Sequence, residues 1–90
     1  MSPAKTSRAE CEKIIQLLKA ERERRAFSKY AVAQESGLSQ QAIGYMEKGH
    51  RIPSLETVLR VANAMNVDFA EIVRQARKEV SERQKISREK

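Results

Sequence analysis

The 90-residue sequence holds no tryptophan, one cysteine, one histidine, two prolines, three glycines and only four aromatic side chains. Each shortage excludes something. A single cysteine, Cys11, leaves no intramolecular disulfide, and with His50 as the only histidine a Cys/His zinc site lacks ligands. A Cys–His nucleophilic pair has neither a Gly-rich oxyanion loop nor a third orienting group to support it. Cys11 falls on an apolar helix face and reads as a small core residue. No apolar run approaches the ~20 residues that span a bilayer. The opening Met1–Lys5 leads into no apolar stretch, so no secretory signal is expected and the reading places the protein in the cytoplasm. A chain this short supports one small core, burying about 60–65% of the unfolded surface. A deep pocket, a cofactor cradle and a lid do not fit beside it. The expectation is therefore a non-enzyme with no metal, cofactor or small-molecule ligand.

Charge is what the sequence has in quantity. Lys and Arg number 18 against 12 Asp and Glu, a net of +6. A small basic protein without a membrane segment suits an acidic partner, most commonly nucleic acid. The charge is unevenly placed. Residues 1–25 and 69–90 each carry seven basic and four acidic side chains, while residues 26–68 carry four of each and are neutral. Any DNA recognition by the middle of the chain must rest on shape and specific contacts.

No stretch alternates apolar and polar residues with period two, so the chain reads as all-α. Ser7-Arg8-Ala9-Glu10 has the form of a capping box, which predicts a first helix over 8–24 with Cys11, Ile14, Ile15 and Leu18 as its apolar stripe. Three later helix starts repeat one device, an apolar residue before a polar N-cap and another four positions after it. These are Phe27-Ser28 with Val32, Leu38-Ser39 with Ile43, and Val67-Asp68 with Ile72, each a candidate hydrophobic staple. Ser54, after Pro53, caps the remaining segment. The predicted helices are 29–36, 40–47, 55–65 and one starting at Phe69. Gly37 and Gly49 stop the second and third, because a left-handed cap suits a residue without Cβ. The last helix carries Phe69, Ile72, Val73, Ala76 and Val80 at helical spacing, a stripe longer than a small core requires. Residues 81–90 hold one apolar residue, Ile86, and read as a frayed helix or a disordered tail.

A short helix, the turn Gly37-Leu38-Ser39 and a second short helix form a helix-turn-helix pattern. Particular residues make the likeness closer: Ser28, Val32-Ala33, Gly37-Leu38-Ser39-Gln40, Ile43, Glu47-Lys48-Gly49, Pro53-Ser54-Leu55-Glu56-Thr57, Leu59, Ala62, Ala64-Met65, Val67 and Glu71-Ile72. Through them the stretch from Arg22 to Ile72 resembles the Cro/phage-repressor (XRE-like) helix-turn-helix family. The resemblance implies a five-helix, lambda-repressor-like DNA-binding domain over residues 7–80, here with an extended C-terminal helix. Its helix-turn-helix would lie at 28–48, between a flexible N-terminus (1–6) and a charged tail (81–90).

The resemblance also implies roles. The helix opening at Gln40 is the one that would enter the major groove. Gln40, Gln41, Gly44 and Tyr45 fall where the family meets bases or phosphates. A glutamine amide can donate to N7 of adenine while accepting from its N6–H. Gln40 either reads a base or contacts a phosphate. Tyr45 either packs on a thymine methyl, bonds a phosphate or lies along the helix surface. Gly44 serves either close approach of the backbone to DNA or local packing. Ser28, Lys29, Ser39, Lys48, His50 and Arg51 are the expected phosphate contacts, with Arg51 the best suited by its forked guanidinium and His50 either a contact or an ordinary exposed histidine. Arg22 and Glu47 correspond to an ion pair joining the first helix to the end of the third. Family members commonly bind two half-sites as two-fold dimers, and the surplus stripe Ile72, Val73, Ala76 and Val80 is the expected dimer interface unless it packs back on the first helix. The leading expectation is a sequence-specific regulator of double-stranded DNA, repressor or autoregulator, acting as a homodimer on a palindromic operator. The alternative is an antitoxin-like or adaptor module that uses the same fold to bind a protein partner such as a toxin.

Overall fold

A computed structural model describes residues 2–89, with side chains through Lys85. Met1, Lys90 and the side chain of Ile86 lie outside the described residues. The helices are α1 (Pro3–Arg24), α2 (Lys29–Ser36), α3 (Gln40–Lys48), α4 (Leu55–Ala64) and α5 (Phe69–Glu89). There is no strand among the described residues. None of the described helices is long and apolar enough to cross a membrane.

Local chemistry sets most helix starts. Ser28, Ser39 and Ser54 have extended backbones, and each side-chain oxygen accepts from the N–H three residues on, at Ala31, Ala42 and Thr57, over 3.0–3.1 Å. Asp68 accepts from Ala70 N–H at 3.0 Å to open α5. The staple residues Val32, Ile43, Val67 and Ile72 are buried, with Phe27 and Leu38 packed against them. Gly37 and Gly49 both sit at φ 73° and close α2 and α3. A Cβ at Gly37 would also stand 2.9 Å from the guanidinium of Arg60. Two turns use left-handed residues that do carry a Cβ, Ala26 (φ 60°) and Asn66 (φ 56°).

The first helix differs from its expected bounds. It begins at Pro3, with Ser2 as N-cap, and residues 3–6 are helical. Pro at the first helical position has no N–H to lose and a φ already suited to the helix. Ser7 is therefore inside α1, where its hydroxyl donates to the Pro3 carbonyl at 2.9 Å instead of capping. The added turn is held by α5. Gln84 donates to Thr6 Oγ1 at 2.8 Å, Arg77 pairs with Glu10 at 3.3 Å and Lys13 with Glu79 at 3.2 Å. The two long helices are thus antiparallel neighbours, and α5 stays helical through Glu89.

This pairing corrects the expected dimer interface. Ile72, Ala76 and Val80 are almost fully buried within the chain, and Val73 is half-buried. The lengthened α1 runs along the part of the stripe that looked surplus, so Ile72, Ala76 and Val80 pack within the chain rather than on its surface. Cys11 is likewise half-buried rather than in the core. The core gathers Leu18 of α1, Val32 of α2, Ile43 of α3, and Val61 and Met65 from α4 and its cap. It seats α2 and α3 as one unit against α1 and α4.

Candidate nucleic-acid interface

Burial of Ile43 and Met46 fixes which side of α3 faces outward. With those two residues inward, Gln40, Gln41, Tyr45 and Lys48 are exposed and Gly44 is half-buried. A shallow groove of about 360 Å³ is lined by Lys29 from the start of α2, by Gln40, Gln41, Gly44, Tyr45 and Lys48 from α3, and by His50 from the following loop. Residues from two helices and a loop therefore meet on one face. Arg51 lines an adjoining groove of about 560 Å³ with Tyr45, His50, Pro53 and Thr57. The Tyr45 and His50 rings meet edge to face, centroids 6.1 Å apart, so Tyr45 leans toward the loop.

The electrostatics suit an anion. Among the described residues, Lys29, Lys48 and Arg51 form no ion pair within the chain, so their charges are uncommitted. The free N–H groups at the start of α2 add a positive dipole end beside Lys29. Ser28 and Ser39 are exposed at these helix starts. Each spends its oxygen on a cap, but its hydroxyl proton remains able to donate.

The far end of α3 is tied down. Arg22 Nε donates to Glu47 Oε2 at 2.6 Å and Arg22 Nη2 to Glu47 Oε1 at 2.9 Å, while Nη1 donates to the Phe27 carbonyl at 2.9 Å. Hydrogen bonding to Glu47 holds the Arg22 guanidinium still more firmly protonated than an ordinary arginine. The pair anchors the helix that carries the exposed glutamines to α1.

Gly44 has no protein atom within 4 Å of the position a Cβ would take. Local packing therefore gives no reason for a glycine there. Tyr30 is a residue that the sequence reading passes over. It is 58% exposed at the second position of α2 and shares a third groove with Ser39 and Gln40. Its one sequence signal is adjacency to Lys29 at a helix start.

Two short helices joined by a three-residue turn, the second presenting an uncharged polar edge between free cations, define a helix-turn-helix DNA-binding domain. A helix-turn-helix family model matches residues 18–72, more than half of the chain. The chain belongs to the XRE-like helix-turn-helix family, whose members are DNA-binding regulators. No curated protein and no solved structure gives a significant match to it.

Proposed function

We propose that the chain is a cytoplasmic, sequence-specific double-stranded DNA-binding transcriptional regulator, a repressor or autoregulator, that occupies a palindromic operator as a dimer. One observation carries the reading: Gln40 and Gln41 are exposed at the start of α3, in a groove shared with Lys29 and Lys48, which form no ion pair among the described residues. A cationic rim gives affinity for any duplex, whereas neutral amides between the cations supply sequence preference. In this reading Gln40, Gln41, Gly44 and Tyr45 meet base edges. Ser28, Lys29, Ser39, Lys48, His50 and Arg51 hold the flanking phosphates.

Selection of bound sequences from a random duplex pool, followed by salt titration of the winner, tests the proposal. The expected result is a two-fold symmetric consensus and a log K that falls steeply with log[salt]. A pool that yields no consensus at physiological salt would leave non-specific binding or a protein partner instead.

A further inference from the structure

His50 is the only histidine in the sequence, and it stands exposed in the loop after α3. It lines both grooves of the proposed DNA face. The first brings it together with Lys29 of α2 and with Tyr45 and Lys48 of α3. The second adds Arg51 of the same loop and Thr57 of α4. Its ring meets that of Tyr45 edge to face, centroids 6.1 Å apart. The imidazole therefore sits where the two grooves join, against a residue proposed to meet a base edge.

The charges around it are of one sign. Lys29, Lys48 and Arg51 form no ion pair among the described residues. Neither groove is lined by an aspartate or glutamate among the described residues. Glu47, the acidic residue nearest in sequence, has both oxygens on Arg22 and a side chain only 4% exposed. No carboxylate in these grooves is available to compensate a positive charge on His50. A duplex laid across them supplies phosphates that do.

Histidine is the side chain whose charge ordinarily changes between about pH 5 and 8. The neutral ring has one N–H donor and one acceptor, whereas the protonated ring has two donors and a full charge. A phosphate oxygen prefers the protonated ring, because charge-assisted hydrogen bonds are about twice as strong as neutral ones. Placing a phosphate at a neutral His50 then draws a proton onto the ring. By linkage, a lower pH tightens the binding that draws it.

We infer that DNA binding by this chain takes up a proton at His50, so that affinity rises as pH falls through the histidine range. This linkage rests on the proposed DNA binding and adds a regulation to it. The extra affinity is fully present where the free ring is already protonated. It is lost as pH rises past the point at which the bound ring gives up its proton. The gain comes from charge at a phosphate rather than from a base edge, so it applies to selected and random duplexes alike.

Fluorescence anisotropy of the full chain on a selected and on a random duplex, from about pH 6 to about pH 8 and at several salt concentrations, tests this. The wild type is expected to bind about tenfold more tightly at the acid end, the difference between a charge-assisted and a neutral hydrogen bond. Its slope of log K against log[salt] is expected to be steeper there by ~0.9. His50→Gln is expected to lose both changes. His50→Arg is expected to lose the pH dependence and to keep the steeper slope throughout. Calorimetric titration of the wild type in two buffers of different ionisation enthalpy is expected to show net proton uptake near neutral pH, which His50→Gln lacks. The inference is overturned if wild-type affinity is flat across this pH range, or if His50→Gln keeps the wild-type pH dependence. Binding to no duplex at any pH would overturn the DNA reading and the linkage together, whereas pH-independent binding overturns the linkage alone.

Discussion

Arg22 grips Glu47 with two parallel hydrogen bonds across 25 positions of sequence, and a third bond from the same guanidinium holds the Phe27 carbonyl. The side chains are only 12% and 4% exposed, so the pair is substantially desolvated. Its rigidity comes from the bidentate geometry, because two parallel bonds fix both distance and plane. The consequence is positional. The C-terminal end of α3 is tied to α1, and the exposed start of α3 is capped by Ser39.

Breaking that pair from one side leaves a poorly solvated charge. Glu47→Ala and Arg22→Ala are each expected to lower the unfolding free energy by about 3–5 kcal/mol. Urea denaturation followed by circular dichroism measures this. Replacing both partners with hydrophobic residues of similar size is expected to cost much less than the two single losses added together, since no uncompensated charge remains. Single losses within about 1 kcal/mol of the wild type would mean the pair behaves as a surface bridge.

Much of this architecture is legible in the sequence, for a local reason. Ser28, Ser39 and Ser54 cap helices with their own side chains, and glycine follows α2 and α3, so both ends of each short helix are written within a few residues. The start of α1 is less legible because two capping signals compete. Ser7 with Glu10 and Ser2 with Pro3 are both sound local patterns. The outcome depends on Thr6, Glu10 and Lys13 finding Gln84, Arg77 and Glu79, all more than 60 positions away. The α5 stripe shows the same limit. Periodicity marks Ile72, Ala76 and Val80 as buried but does not say by what. The proposed recognition residues are legible through family resemblance more than through chemistry, since two glutamines at a helix start are otherwise ordinary. Tyr30 has no periodic or capping signal and becomes visible only when α2 and α3 are placed together.

Arg51 is the exposed cation best suited to a phosphate. Arg51→Gln is expected to weaken binding to all duplexes about equally and to reduce the slope of log K against log[salt] by ~0.9. Gln41→Ala is expected to leave that slope unchanged while costing ~1–3 kcal/mol of discrimination at one base pair. Titration of consensus and single-substituted duplexes at several salt concentrations separates the two effects. Interchanged results would reverse the roles assigned to these residues.

Ala26 adopts a left-handed conformation (φ 60°) in the turn after α1. Such a backbone costs an L-residue about 1–2 kcal/mol, whereas glycine adopts it freely but loses about 0.5–1 kcal/mol more in chain entropy. Ala26→Gly is therefore expected to stabilise the fold by about 0.5–1 kcal/mol, read as a higher denaturation midpoint with an unchanged denaturant slope. A lower midpoint would mean that the methyl group contributes packing worth more than the strain.

Gly44 separates folding from function most directly. It lies within α3 with ordinary helical geometry and open space where a Cβ would be. In a helix interior glycine is less favourable than alanine by about 0.8–1 kcal/mol. Gly44→Ala is therefore expected to stabilise the free protein, raising its melting temperature by about 4–8 °C per kcal/mol for a domain of this size. If the backbone at Gly44 approaches the duplex closely, the added methyl group stands in the way. Affinity for the selected operator is then expected to fall by on the order of 1 kcal/mol, the scale of a single base contact. Opposite signs for stability and binding in one variant would support this helix as the reading element and its glycine as a point of close approach. A variant that gains stability and binds as well as the wild type would leave the glycine without a role at the interface and turn attention to Gln40, Gln41 and Tyr45 alone.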